Sequence, residues 1–178
     1  MKTEFEKMRS EELYDFSDKE INMSLRKAKD LCTFLQTLTL SSPEYREIIK
    51  KLIPNFPNSS GICPPFHCDH GSGIRIGERS FLNYNCVILD GAYVTIGNDV
   101  KIGPSCQLLT PHHLIDYMAR RETCETSIPL TIGDGTWLGG GVIICPGVSI
   151  GQRCIRTAAS VVIHERPDAC TAAGNPDV

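Results

Sequence analysis

Residues 132–151 read I-G-D-G-T-W-L-G-G-G-V-I-I-C-P-G-V-S-I-G, with an aliphatic residue at Ile132, Leu138, Ile144 and Ile150. That spacing of six decides the fold. An amphipathic helix places apolar residues three to four apart and a half-buried strand alternates by two, so neither explains a strict period of six with glycine or another small residue after the aliphatic. Short strands joined by corners do explain it, and a hexapeptide period is the signature of a parallel β-helix.

Working outward, the same pulse runs downstream to Val162 and upstream from Ile76 to His113, through I-G-E-R-S-F, L-N-Y-N-C-V, I-L-D-G-A-Y, V-T, I-G-N-D-V-K, I-G-P-S-C-Q and L-L-T-P-H-H. Eleven aliphatics occupy the first position of the repeat: Ile76, Leu82, Ile88, Ile96, Ile102, Leu108, Ile132, Leu138, Ile144, Ile150 and Val162. They are expected to stack inside a prism. The fifth position carries Ser80, Cys86, Ala92, Val100, Cys106, Thr136, Val142, Val148, Cys154 and Ser160, small or β-branched side chains suited to a narrow interior. Glycines at the second position are read as corner residues. Three hexads per coil give about four coils and a stack roughly 20 Å tall. Arg156 breaks the strip by standing where an aliphatic belongs. Either the last coil opens to solvent there or the guanidinium reaches an anion, because an unpaired buried charge is costly.

Composition narrows the class. The 178 residues carry a formal charge of −3 and 41% hydrophobic residues, an ordinary balance for one globular domain with an appended piece. The absence of a basic cluster argues against nucleic acid, and no segment has the apolar length of a membrane span or the pattern of a signal peptide. A cytoplasmic location is expected. The nine cysteines contain no C-x-x-C pair and are odd in number, which favours free thiols in a reducing compartment over zinc or disulfides. Cys86, Cys106 and Cys154 read as small core residues.

Residues 1–58 have a different texture, charged and helical, and residues 59–178 hold the repeat. Ser17 and Glu20 suggest a capping box ahead of a helix reaching about Leu38, and Ser42-Pro43 suggests the start of another ending near Pro54. Leu13, Ile21, Leu25, Ala28, Leu31, Leu35 and Leu38 form a helical stripe expected to pack on the open N-terminal end of the prism. Proline-rich residues 55–72 join the two parts.

The coil is interrupted once, at about residues 114–129. A long excursion from a compact repeat is usually functional, and His113 stands at its root, where a rigid scaffold would hold a general base beside a cleft. His112 falls on an interior position and is the poorer candidate.

L-L-T-P-H-H-L-I-D-Y-M-A-R, L-T-I-G-D-G-T-W-L-G-G-G-V-I-I-C-P-G-V-S-I-G and A-A-G-N-P together closely resemble the bacterial maltose and galactoside O-acetyltransferases, and E-K-M-R-S-E-E-L-Y resembles that family's helical N-terminus. The resemblance covers nearly the whole chain. It implies a mainly β fold, a left-handed parallel β-helix with an N-terminal α-helical segment, a homotrimer, acetyl-CoA as donor and a small sugar hydroxyl as acceptor. Carried over by position, the catalytic base is His113. Asn83 either supplies an oxyanion donor or holds the acceptor, with Asp69, Asp90 and Asp15 as further acceptor contacts. Trp137, Gly140, Ala158, Ile163 and His164 match the CoA groove. Departures accompany these matches. Leu114 follows the histidine in place of proline, acceptor aspartates align with Phe16 and Gly91, and Ile163-His164 replaces the threonine-lysine pair near the CoA phosphates. The chain also stops before the family's terminal basic residues. Arg156, Arg166 and Lys101 are candidate replacements at the phosphates. Two other readings stay open on the same prism: a metal-dependent enzyme using His67, His70, His112 and His113, and a non-catalytic protein.

Overall fold

The computed structural model describes residues 1–177 and shows a parallel β-helix entered through three short helices. Three walls of stacked short strands enclose the interior. The first wall holds Ile74–Ile76, Val94–Ile96, Leu130–Ile132 and Ser149–Ile150. The second holds Gly61–Ile62, Phe81–Leu82, Lys101–Ile102, Trp137–Leu138, Ile155–Arg156 and Thr171–Ala172. The third holds Phe66–Cys68, Cys86–Leu89, Gln107–Leu109, Ile143–Ile144 and Val161–Val162. Every pairing within these walls is parallel and in register with the repeat, for example Ile96 on Ile132 and Ile102 on Leu138.

The interior follows the hexads. Ten of the eleven first-position aliphatics are buried, Ile76 at the rim being half-buried, and all ten fifth-position residues are buried. Several fifth-position side chains also serve the backbone. Ser80 Oγ donates to Gly97 O at 2.7 Å and accepts from Val100 N at 3.0 Å, and Thr136 Oγ1 repeats this with Gly151 O and Cys154 N at 2.9 and 3.1 Å. Cys86 and Cys106 donate to the carbonyls of Gly103 and Gly139 at 3.3 and 3.1 Å. These cysteines are core residues, and all nine thiols are free.

Two expectations about the coil are corrected. The second wall has six strands and the solenoid about six turns, not four, because Gly61–Ile62, Phe66–Cys68 and Thr171–Ala172 stack on the ends without obeying the strict repeat. At the usual inter-strand spacing six layers span roughly 24 Å. The second-position glycines answer to stacking rather than to turning. A Cβ on Gly133 would lie 2.6 Å from Gln152 N, and one on Gly139 2.6 Å from Ala158 N. The left-handed backbone falls two residues later, at Arg79, Asn85, Asp99, Ser105 and Gly135.

Helix α1 (Glu4–Arg9) starts with a capping box between Thr3 and Glu6. Helix α2 (Lys19–Leu35) is capped by Asp18, whose carboxylate accepts from Glu20 N at 2.8 Å, and not by the Ser17–Glu20 pair. Ser17 is drawn away because its hydroxyl donates to Asp15 Oδ1 at 2.7 Å. Helix α2 also ends earlier than expected, at Leu35. It buries Ile21, Ala28, Cys32 and Leu35, whereas Leu13 stays half exposed and outside the stripe. Helix α3 (Tyr45–Leu52) is fixed to the first coil by Tyr45, whose hydroxyl donates to Ile62 O at 3.0 Å and accepts from Ile62 N at 2.8 Å. Ala28, Cys32, Leu35, Tyr45, Ile49 and Leu52 thereby continue the apolar interior of the prism and close its N-terminal end. Among the described residues no helix is long and apolar enough to cross a membrane.

At the other end Arg156 neither meets solvent nor waits for a phosphate. It is fully buried, its Nε faces Asp177 Oδ2 at 3.4 Å, and Nη1 donates to Ile155 O at 2.9 Å. Arg166 Nη2 donates to Asp177 Oδ1 at 2.8 Å, and Lys101 Nζ donates to Arg79 O at 2.8 Å. The three cations considered for phosphates therefore have protein partners.

Two stability outcomes are expected. Truncating fully buried Ile144 to Ala lowers the unfolding free energy by about 2 to 5 kcal/mol in urea titration. Asp177→Ala, which strands a buried guanidinium, costs on the order of 3 kcal/mol or more, whereas Arg156→Leu, restoring the aliphatic of the repeat, costs less because the unpaired charge is gone. Equal losses for the last two would contradict the ion-pair account.

Candidate active site

The excursion after the third wall is a β-arm. Pro111–His113 runs antiparallel to Cys124–Ser127, and Tyr14–Asp15 adds a third strand on the far side, so the helical segment and the arm are hydrogen-bonded into one small sheet. Register sets His113 opposite Glu125. His113 Nδ1 lies 3.3 Å from Glu125 Oε2, with the imidazole side chain 58% exposed and the carboxylate 13%. The other carboxylate oxygen, Oε1, accepts a hydrogen bond from Tyr14, whose hydroxyl also lies 3.1 Å from Ser127 Oγ. Burial first, and the bond to Glu125 second, push the Tyr14 phenol well above its ordinary value, so it stays a donor. The Phe16 ring meets the His113 ring edge-on at 6.4 Å.

His113 and Glu125 line a cavity of about 310 Å³ together with Tyr14, Phe16, Asn22, Lys29, Asp69, His70 and Gly91. Asp69 is the carboxyl most altered by this setting. Burial, then the nearby charges of Asp90 and Glu125, push it up to about 6 against the opposing pull of Lys29. His70 is pushed down to about 3 by burial and by Arg9, which keeps its ring neutral, with Nδ1 2.9 Å from Ser24 Oγ. The larger hollow of about 740 Å³ along α2, lined by Met23, Arg26, Lys27 and Asp30, holds none of these groups.

Of the acceptor positions, Asp69 is in the cavity with His113, and two others are elsewhere. Asp90 is fully buried, accepts from His70 N at 2.8 Å and Gly73 N at 2.9 Å, and faces Arg9 Nη2 at 3.8 Å, so it has no surface to offer an acceptor. Arg9 also donates to the Asp90 carbonyl and, at 2.8 Å, to that of Gly91, clamping α1 to the coil. Asp15 turns away from the cavity and accepts from Ser17 N at 2.8 Å, with Phe16 taking the place beside His113. His112 is exposed and not interior, because the antiparallel arm begins before it.

The remaining positions fall on two different edges of the prism. His113, Asp69, Ile163 and His164 follow strands of the third wall and mark the edge between the third and first walls. Asn83, Gly140 and Ala158 follow strands of the second wall and mark the edge between the second and third. There Asn83 N bonds Ile102 O at 2.9 Å, Gly103 N bonds Leu138 O at 2.8 Å and Gly139 N bonds Arg156 O at 2.8 Å, one above another. Asn83 Oδ1 accepts from Tyr84 N at 2.8 Å. Trp137 stands 55% exposed on the outer face of the second wall, between Lys101 and Ile155. One chain thus carries the two groups of candidate residues on separate edges.

Glu125 and Tyr14 escape sequence reasoning because their roles depend on antiparallel register across the arm, and nothing in the hexads specifies it. Among the described residues no three His, Cys, Asp or Glu side chains are grouped to hold a metal ion, so His67, His70, His112 and His113 do not form a cluster within the chain.

No family model matches the chain. Nodulation protein L of Rhizobium meliloti is 38% identical over 176 residues, covering 98% of this chain and 96% of that protein. The crystal structure of a maltose O-acetyltransferase from Clostridium difficile 630 superposes with a TM-score of 0.96 at 34% identity, covering 99% of this chain and 95% of the other. A hexapeptide-repeat acetyltransferase of Vibrio cholerae O1 biovar eltor, solved in complex with acetyl coenzyme A, superposes with a TM-score of 0.92 at 37% identity over 99% and 96% of the two chains. With likeness along essentially its whole length and the hexads forming the prism, the chain belongs to the hexapeptide-repeat acetyltransferase family.

Proposed function

We propose that this protein transfers the acetyl group of acetyl-CoA to a hydroxyl of a small sugar, with His113 as general base. The observation that carries the reading is the His113–Glu125 pair at the wall of a polar cavity. A neutral imidazole whose Nδ1–H is held by a carboxylate presents Nε2 as the proton acceptor, and the same carboxylate steadies the imidazolium once the proton has moved. The acceptor oxygen then attacks the thioester carbon. Collapse of the tetrahedral intermediate expels the CoA thiolate, which takes the proton back from His113. The backbone N–H of Gly140, whose neighbours Gly139 N and Gly141 N are already bonded to Arg156 O and Pro104 O, or the Asn83 side-chain amide is the oxyanion donor, a contribution on the order of 10² to 10³ in rate.

The two half-sites motivate the oligomer. The edge bearing His113, Ile163 and His164 and the edge bearing Asn83, Gly140 and Ala158 lie on different corners of one prism, so a shared groove requires the second edge of a neighbouring copy. A closed three-fold ring supplies this three times over with one interface. Trp137 would flank the acetyl-CoA in that groove. The acceptor class follows from the cavity: Asp69 and Glu125 accept hydroxyl hydrogen bonds, Asn22 and Lys29 donate, and Phe16 offers a flat apolar face, a mixture suited to a polyhydroxylated ring. Absence of membrane-length helices among the described residues and the free thiols are in keeping with a cytoplasmic enzyme.

The first test measures CoA release from acetyl-CoA with a sugar panel. His113→Ala is expected to lower kcat by about 10² to 10⁴ with little change in the KM for acetyl-CoA; equal rates would remove His113 from catalysis. The second concerns pH. The Asp69 carboxyl titrates at about 6, so its hydrogen-bond-accepting form is lost as pH falls through that value. The KM for the acceptor should rise below that pH, and Asp69→Asn should raise it above about pH 6, where wild-type Asp69 is ionised, and flatten the profile. A steep profile surviving in Asp69→Asn would remove Asp69 from acceptor binding.

A further inference from the structure

The C-terminal end of the prism holds two thiols and a cation in mutual contact. Thr171–Ala172 pairs in parallel with Ile155–Arg156, with Thr171 opposite Ile155, so Cys170 stacks over Cys154. Their sulfurs lie 3.3 Å apart. One inter-strand step is about 4.8 Å, within the Cα separation a disulfide tolerates. Arg156 Nη2 donates to Cys170 Sγ at 3.0 Å, and the guanidinium is itself fully buried. Cys154 is buried beneath, whereas Cys170 reaches the surface in part.

We propose that Cys170 is an oxidant-reactive thiol for hydrogen peroxide, with Cys154 as its resolving partner, giving an intramolecular disulfide across the last two layers of the prism. The assignment is independent of the acetyl-transfer reading. Partial exposure and the Arg156 contact separate this pair from the other thiols. Cys32 and Cys68, 3.8 Å apart, are both buried, so an oxidant has no approach. Cys145 is half-buried, but burial pushes its thiol up. At Cys170 burial also acts upward, yet the bonds from Arg156 and Cys154 and the guanidinium charge outweigh it and hold the thiol below its ordinary value. Cys154, pushed up chiefly by burial, stays protonated and suits the second step.

The chemistry balances. The Cys170 thiolate attacks one peroxide oxygen, the O–O bond breaks, and the departing hydroxide is protonated to water, leaving a sulfenic acid two electrons more oxidised. Cys154 then loses its proton and attacks that sulfur, the S–O bond breaks, and a second water leaves as the disulfide forms.

The test uses the full reduced chain with a small excess of hydrogen peroxide, followed by alkylation, intact mass and peptide mapping. The first thiols lost should be Cys154 and Cys170, joined in one peptide pair, with a mass decrease of about 2 Da. In Cys154→Ser the reaction should stop at a sulfenic acid on Cys170, trapped by dimedone, and should be faster there than at the partly exposed Cys124 and Cys145 by about ten-fold or more. Cys170→Ser should slow the first oxidation of the chain by a similar factor. Oxidation that begins at another cysteine, a Cys154→Ser protein whose sulfenic acid is spread over several thiols, or an unchanged rate in Cys170→Ser would each overturn the assignment.

Discussion

Close stacking of one coil on the next is the constraint on which the structure depends. Strands about 4.8 Å apart leave no room between successive second-position corners, which is why a Cβ at Gly103, Gly133 or Gly139 would sit 2.6 Å from backbone atoms of the next coil. The same spacing brings like positions over one another, so Ile96 lies on Ile132 and Ile102 on Leu138, and Ser80, Cys86, Cys106 and Thr136 each reach a glycine carbonyl of the next coil. Hydrophobic burial and backbone satisfaction are therefore repeated by one local rule. The ends of such a stack are where the rule fails, and each end has its own remedy: an apolar helical plug at the N-terminus and the Arg156–Asp177–Arg166 cluster at the C-terminus.

A stack this narrow has no interior to give to a ligand. Its chemistry must lie along its edges, and the edges are built by different means. The Asn83–Gly140–Ala158 edge consists of repeat corners in ladder register, so it presents backbone groups at regular intervals. The His113 edge is irregular, because the coil leaves it as a β-arm and returns. Regular backbone suits an extended donor and its developing oxyanion, whereas an irregular, side-chain-rich edge suits a base and an acceptor pocket. Under the proposed acetyl transfer, this difference between edges would make a neighbouring copy chemically useful rather than merely stabilising.

The prism was legible because its period is written in single residues: Ile132, Leu138, Ile144 and Ile150 declare it without help from tertiary structure. His113 was singled out for the same reason, as the point where the period stops. What the period could not carry is anything decided between distant segments. The six-strand height of the second wall comes from Gly61–Ile62 and Thr171–Ala172, which lack the hexad but still find a ladder to extend. The cap of α2 moved to Asp18 because Ser17 had a competing partner in Asp15. Arg156 looked like an opening or an anion site because its carboxylate, Asp177, comes from beyond the repeat. Asp90, beside an aligned acceptor position, instead became the buried counter-charge that Arg9 of α1 needs.

The arm shows how these long-range terms converge on function. Glu125 can hold His113 only if Cys124–Ser127 keeps its register with Pro111–His113, and that hairpin, isolated, would be marginal. Tyr14–Asp15 makes it three-stranded, and Phe16 N bonds Thr123 O at 2.9 Å just beyond. Tyr14 then spends its hydroxyl on the oxygen of Glu125 that His113 does not use. Met8, Tyr14 and Ile21 bury together at the base of this sheet, apart from the prism core, and Arg9 ties α1 to the coil through the carbonyls of Asp90 and Gly91. The N-terminal segment therefore does more than plug an open end. It completes the sheet whose register sets His113 opposite Glu125, so on the proposed function a change in α1 packing far from the cavity should reach His113 through the orientation of Glu125 before it reaches the stability of the prism.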